Sequence, residues 1–169
     1  TLSAEGGGNG EITFSEANLA DADLSGSTLS ATAAGDGADA TMVIDLKGAD
    51  LTNADLSGST LSAEGGRYGE ITFSEANLAD ADLSGSTLSA EGRGRYGEIT
   101  FSEANLADAN LSGSTLSAEG RRDGKITFSG ANLADADLSG STFSAEGARY
   151  GEITYSSPSP PPPSPSPTP

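Results

Sequence analysis

Acidic side chains are the chemically capable residues this sequence holds in quantity. Asp and Glu number 25 against 8 Lys and Arg, giving a formal charge of −17, and neither His nor Cys occurs. Without His, the commonest general base and metal ligand is missing; without Cys, thiol and disulfide chemistry are excluded. Carboxylates alone can act as a general acid and base or hold a hard cation, but each role needs a pair or group set apart from the rest. Here they recur at fixed intervals, as in Asp23, Asp55, Asp82 and Asp137. No pair stands out and no segment has calcium-loop spacing, so neither an enzyme nor a cofactor is expected. A regular acidic ladder is either a solvated face with diffuse counterions or a row that bound cations would relieve, and the first is the simpler reading. Direct binding to nucleic-acid phosphates or anionic membranes is disfavoured by the charge.

Three further groups have chemical potential. Asn110-Leu111-Ser112 is an N-glycosylation sequon. Arg67 with Tyr68, Arg95 with Tyr96, Arg122, and Arg149 with Tyr150 recur beside Glu64, Glu91, Glu119 and Glu146, with Asp123 standing where a fourth Tyr is due. Stacked on one edge, these arginines can bridge glutamates and lie over tyrosine rings. Such a ridge serves either as a lateral contact surface or merely to hold neighbouring segments in register. The third group is the prolines, all eight of which fall between Ser156 and Pro169.

These residues are positioned by a period of five. In Phe73-Ser-Glu-Ala-Asn-Leu78-Ala-Asp-Ala-Asp-Leu83-Ser-Gly-Ser-Thr-Leu88, a large apolar residue falls every fifth place with a small one two places before. Five fits neither the 3.6 of a helix nor the 2 of a flat strand. Copies run through Phe14, Leu19, Leu24, Leu29; Leu46, Leu51, Leu56, Leu61; Phe101, Leu106, Leu111, Leu116; and Phe128, Leu133, Leu138, Phe143. Between each inward pair sits an outward residue: Thr, Asn, Asp and Thr in the first copy, at Thr13, Asn18, Asp23 and Thr28. Repetition turns these into ladders of like residues, about 4.8 Å apart at strand spacing. Thr and Asn ladders can exchange hydrogen bonds along the stack, whereas an Asp ladder repels itself.

The motif Ala-Asn-Leu-Ala-Asp and Ala-Asp-Leu-Ser-Gly resembles the pentapeptide-repeat family. That resemblance implies an all-β, right-handed quadrilateral β-solenoid, each unit building one side and four units closing one coil. About five coils are expected over residues 1–155. The spacing departs from the family at one corner per coil. Leu61 to Phe73 is twelve residues instead of five, Leu88 to Phe101 thirteen, and Leu29 to Leu46 seventeen. A protruding loop at that corner is expected in every coil, its glycines serving tight turns. Thr1-Leu2-Ser3 matches a fourth side and Ile153-Thr154-Tyr155 a first side. The sequence opens without an initiator Met, as a processed chain or a fragment would.

Residues 156–169 are a different polymer, Ser-Ser-Pro-Ser-Pro-Pro-Pro-Pro-Ser-Pro-Ser-Pro-Thr-Pro. Proline at this density excludes helix and central strand and favours polyproline II. The segment resembles the Ser/Pro-rich modules of plant and green-algal hydroxyproline-rich glycoproteins. The resemblance implies hydroxylation and O-glycans, with Pro158, Pro160, Pro161, Pro162, Pro163, Pro165, Pro167 and Pro169 and Ser159, Ser164 and Ser166 as candidate positions. A plain spacer is the alternative.

Neither end of the repeat region carries a polar cap. An uncapped solenoid end is equivalent to an open sheet edge, and Leu2, Phe14, Ile153 and Tyr155 are the candidate assembly contacts. The reading is a structural, extracellular fibre subunit, cell-surface or cell-wall associated, whose partner is itself head to tail, with glycans on the tail and no membrane insertion. An alternative of another class is an acidic protein resembling the DNA mimics that occupy DNA-binding enzymes. A third is ice binding through the Thr ladders.

Overall fold

The structure, a computed structural model, describes residues 1–34 and 39–155. The corners explain how a period of five becomes a square. In Phe73-Ser74-Glu75-Ala76 the Ala76 N–H donates to the Phe73 carbonyl at 3.0 Å, and Glu75 has φ 61°. This is a type II turn, which needs a positive φ at its third residue. The same geometry closes Leu78 to Ala81 over Asp80 (φ 58°) and Leu83 to Ser86 over Gly85 (φ 62°). The third corner holds Gly in every coil, at Gly26, Gly58, Gly85, Gly113 and Gly140. The first two corners instead hold Glu, Asp, Asn or Gly at that position.

Between corners the backbone is extended and pairs with the coils on either side. The fourth face supplies a parallel sheet, here sheet A, of β1 (Leu2–Gly6), β3 (Thr28–Ala33), β5 (Thr60–Gly65), β7 (Thr87–Gly92), β9 (Thr115–Gly120) and β11 (Thr142–Gly147). The first face supplies sheet B, with β2 (Gly10–Thr13), β4 (Thr41–Asp45), β6 (Tyr68–Thr72), β8 (Tyr96–Thr100), β10 (Asp123–Thr127) and β12 (Tyr150–Thr154). Faces two and three are single-residue parallel bridges, such as Asp50↔Asn77 and Asp55↔Asp82. The result is an all-β solenoid with five coils complete on four faces and a part-turn at either end. Register places like on like, Leu61 against Leu88 and Ile71 against Ile99.

The core is a column of these inward residues. Phe73, Phe101 and Phe128 are buried and stack at 4.9 and 5.0 Å with rings within 4° of parallel, and Tyr155 adds a fourth ring at 5.4 Å. Parallel stacking at about the rung spacing is what the ladder imposes on identical side chains.

The expected protruding loop is itself strand. β5 runs past the fourth face, turns at Gly66 and Arg67, and returns as β6. Sheets A and B therefore extend beyond the square as a thin two-layered flap. Its interior tapers: Leu61, Ala63 and Gly65 alternate inward on one layer, opposite Ile71 and Gly69 on the other. A Cβ on Gly69 would collide with the carbonyls of Ala63 and Glu91, and one on Gly97 with those of Ala90 and Glu119. These glycines serve close approach of two backbones, and turn chemistry, the role expected for the corner glycines, does not account for them. Met42 is the exception. It takes the register position of Gly69, is fully buried, and lies where a Cβ on Gly10 would fall. The flap there must stand wider, in keeping with the seventeen-residue spacing from Leu29 to Leu46.

Candidate assembly surfaces

The outward ladders owe their residue types to the corners. Asp23, Asp55, Asp82 and Asp137 each accept, on Oδ1, the backbone N–H two residues on, at 2.8 to 3.0 Å. Asn110 does the same for Ser112 at 3.0 Å, and Thr72 and Thr100 for Ser74 and Ser102 at 3.2 Å. On faces one to three the outward side chain thus caps the next turn. The hydroxyl of Ser25 and its N–H hold the Asp23 carboxyl below its ordinary pKa; Thr52 does so for Asp50, and the Ser139 N–H and hydroxyl for Asp137. These carboxylates therefore have a structural occupation. Among the described residues no group of acidic side chains is gathered as a metal site.

Face two behaves as an amide ladder. Asn77 Nδ2 donates to Thr52 Oγ1 at 2.7 Å, Asn105 to Asn77 Oδ1 at 2.9 Å, and Asn132 to Asn105 Oδ1 at 2.9 Å. The row stitches successive coils outside the core. On the fourth face the Thr row is bordered by the Glu row, and Ser62, Ser117 and Ser144 donate to Glu64, Glu119 and Glu146.

The flap carries the basic residues. All six arginines and Lys125 lie there, and Lys47 alone lies on the square part. Tyr68 and Tyr96 stack at 5.1 Å; Arg67 lies over Tyr68 at 5.4 Å and Arg122 over Tyr96 at 5.8 Å. Bridging of adjacent glutamates is done by a residue the sequence reading did not single out. Arg93 reaches Glu64 of the neighbouring rung at 3.0 Å and Glu91 at 3.6 Å. Arg93 follows directly on the Gly92 that ends β7, and that offset is the signal that distinguishes it from Arg95. On the outer surface of sheet B, Lys125 pairs with Glu98 at 3.3 Å. Glu70, half-buried beside Glu98 and Asp45, has its pKa raised first by burial and then by those charges.

The ends expose the core. Leu2, Ile153 and Tyr155 are 51, 37 and 54% exposed, and Phe14 is partly buried with Leu19 and Leu24 around a cavity of about 40 Å3 at the N-terminal mouth. At the other end Leu133, Leu138 and Phe143 are only partly covered. Tyr150, assigned to the ridge from sequence, is also the most exposed large apolar side chain described, at 71%. Sheet A overhangs at the N-terminal end with β1, and sheet B overhangs at the C-terminal end with β12. The proline-rich candidates from Pro158 to Pro169, with Ser159, Ser164 and Ser166, lie outside the described residues.

With the five-residue turn, the four faces and the inward Ala and Leu in place, the family model for pentapeptide repeats matches eight copies, over residues 44–63 and 125–145. Those two stretches are pentapeptide repeats. Solved pentapeptide-repeat proteins are similar at low identity. HetL, from the cyanobacterium Nostoc sp. strain PCC 7120 and involved in heterocyst differentiation regulation, is 22% identical over 78% of this chain and 59% of its own, with a TM-score of 0.32. Rfr23 of Cyanothece 51142 is 21% identical over 84% of each chain, with a TM-score of 0.31. A pentapeptide-repeat protein of the Arabidopsis thaliana thylakoid lumen is 26% identical over 80% of this chain and 64% of its own, with a TM-score of 0.25. This chain thus spans well under two thirds of the length of HetL. No curated protein matches the sequence. Overlays this loose carry nothing about function.

Proposed function

We propose that this pentapeptide-repeat solenoid is the structural subunit of a fibre built by head-to-tail stacking. One observation carries the reading: the two overhangs are the first and the fourth face of one shared coil, whose second and third faces neither copy supplies. β12 is a first face without a fourth, and β1 a fourth face without a first. If one copy's β12 lies beside the next copy's β2, its β11 lies beside that copy's β1, and every sheet edge at the junction is paired. The register is already that of the interior, with Ile153 against Ile12, Thr154 against Thr13, Phe143 against Leu2 and Gly151 against Gly10. Tyr155 would extend the aromatic column onto Phe14. A contact of this kind does not close and gives a filament.

The Ser/Pro-rich tail, starting directly after the last strand, suits a linker running along the outside, and its composition supports hydroxylation, O-glycosylation and an extracellular place of work. The test is electron microscopy and sedimentation of the full chain, the tail-less chain 1–155, and the variant Leu2→Glu/Tyr155→Glu. Rods are expected for the full chain and loss of rods for the charged variant; unchanged rods after both alterations together refute the reading. Mass and glycopeptide analysis of native material examines the tail, where a bare mass of 16.7 kDa refutes glycosylation.

A second reading rests on the charge segregation. Corners one and two and face three carry Glu16, Glu75, Glu103, Asp21, Asp80 and Asp82 among others with Lys47 as their one basic residue, as a protein occupying a DNA-binding enzyme requires. The flap interrupts that rod along its whole length, which weighs against it. Salt-sensitive competition with DNA for a topoisomerase, present in a chain that forms no rods, would favour this second reading.

A further inference from the structure

The end-to-end contact, taken as proposed above, adds opposed carboxylates that a free copy does not have. Along sheet A the carboxylates of Glu64, Glu91, Glu119 and Glu146 form one outward column, and Glu5 of a following copy would extend it directly above Glu146. Along sheet B, Glu152 would meet Glu11 of that copy. Each junction therefore opposes two pairs of like charges at rung spacing, an arrangement that destabilises a sheet.

Inside the chain some of these carboxylates are met by a cation. Arg93 reaches both Glu64 and Glu91, and Lys125 reaches Glu98. At the ends the compensating residues are replaced. Arg93 and Arg121 each follow the glycine that closes a sheet A strand, but after Gly147 the residue is Ala148, and after Gly6 it is Gly7. On sheet B the residue in register with Glu11 is Val43, and the ammonium of Lys125, the neighbour of Glu152, is directed to Glu98.

Other charged and polar groups surround the four carboxylates. Glu146 has Glu119 in register on β9 and accepts from Ser144 at 3.2 Å, with Arg121, Arg122 and Arg149 on the turns at the flap tip. Glu152 has Lys125 in register on β10 and Asp123 one side-chain position away on the same face. Glu5 faces uncharged Thr32 on β3 and accepts from Ser3 at 3.4 Å, and Glu11 has Asp45 diagonally on β4.

We propose that the neutralisation of Glu5, Glu11, Glu146 and Glu152 gates assembly: copies join weakly at neutral pH and close end to end as the medium becomes acidic. The sign follows from linkage, since the joined state holds the protons more tightly and is favoured as pH falls toward the carboxylate range.

The experiment is sedimentation with micrographs of the full chain at pH 7 and pH 4.8, beside Glu5→Lys/Glu11→Lys, which turns both opposed pairs into opposite charges on exposed edge strands. A second variant, Glu70→Lys/Glu103→Lys, makes the same change of net charge away from the ends. Two opposed pairs about 5 Å apart in water, their carboxylates partly protonated, predict association about fivefold tighter at pH 4.8 than at pH 7 for the natural chain. The end variant should assemble at pH 7 as the natural chain does at pH 4.8, while the remote variant keeps the natural profile. Rods equally long at both pH values, or an end variant with the natural profile, overturn the gate but leave head-to-tail stacking standing. Absence of rods in every chain at both pH values overturns the stacking itself, and the gate with it.

Discussion

Replacing Gly97 by alanine tests the geometry of the flap directly. An added Cβ would fall within the backbone carbonyls of Ala90 and Glu119 and 2.6 Å from the Glu119 amide nitrogen. Those atoms belong to β7 and β9, two adjacent rungs of sheet A, so no side-chain rotation relieves the overlap. To reach ordinary contact the layers must part by about 1 Å, and the buried Ala90 and Ala118 then lose about a quarter to a half of their dispersion attraction across the gap. Overpacking of this kind costs about 3 kcal/mol, the upper part of the usual range. For a chain of this length that lowers the melting midpoint by about 6–12 °C. Circular dichroism melts of Gly97→Ala should be read beside two controls. Gly113 has open space around a Cβ but a φ of +65°, so alanine there suffers only the left-handed penalty of about 1–2 kcal/mol. Gly8 has nothing within 4 Å and no positive φ, so Gly8→Ala should melt with the natural chain. A Gly97→Ala melt within about 1 °C of the natural chain, or no lower than Gly113→Ala, would refute backbone contact between the layers.

Other substitutions separate the remaining forces. Asp82→Ala removes the acceptor of the Ser84 N–H and should lower stability in denaturant melts by about 1 kcal/mol, whereas Asp82→Asn, the residue found naturally at Asn110, should restore most of it. Glu103 sits at φ 60°, and Glu103→Gly should leave stability unchanged or raise it by up to about 1 kcal/mol, since the relief of left-handed strain exceeds the added chain entropy. The depressed pKa values of Asp23, Asp50 and Asp137 mean that their contribution is present above the unfolded value near 3.9 and is lost as pH falls through the folded values. Asp50→Asn should flatten part of that acid loss in melts below about pH 4. Glu70 works in the opposite sense. Its pKa is raised, so its charge weakens the fold at neutral pH, and Glu70→Gln should raise the melting midpoint at pH 7, by an amount that shrinks as pH falls below the folded value and is gone below the unfolded one.

The square cross-section was legible because apolar residues at a period of five leave little else to build. Phe73, Leu78, Leu83 and Leu88 point inward as their spacing requires, and the Asn row along face two bonds as a ladder of amides should. The corner stretch was misread as loop for a physical reason. Tyr68-Gly-Glu-Ile-Thr72 has only Ile71 as a large inward residue, and its partner Gly69 gives no apolar signal, because two backbones in contact need no side chain. The outward Asp row suggested repulsion or cations, since a cap two residues away is invisible until the turn is known. The Arg93 bridges escaped notice because the five-residue rhythm stops at the flap. The exposed ends and their complementary overhangs could be anticipated, since Leu2 opens on a fourth side and Ile153 to Tyr155 closes on a first.

Near-identical rungs pose a problem that a globular core avoids. Leu61 fits beside Leu88, but the same strand sequence, Thr-Leu-Ser-Ala-Glu-Gly, recurs at Thr87 and Thr115. A growing stack could therefore skip a rung and bulge out one whole coil at little local cost. The irregular residues work against that fault as address labels. Met42 widens the flap at one level only, Asn53 reaches Asp21 at 3.3 Å, Lys47 finds Glu75 at 3.1 Å, and Asp123 interrupts the tyrosine row. What looks like decay of a perfect repeat is the information that tells every coil its place in the order.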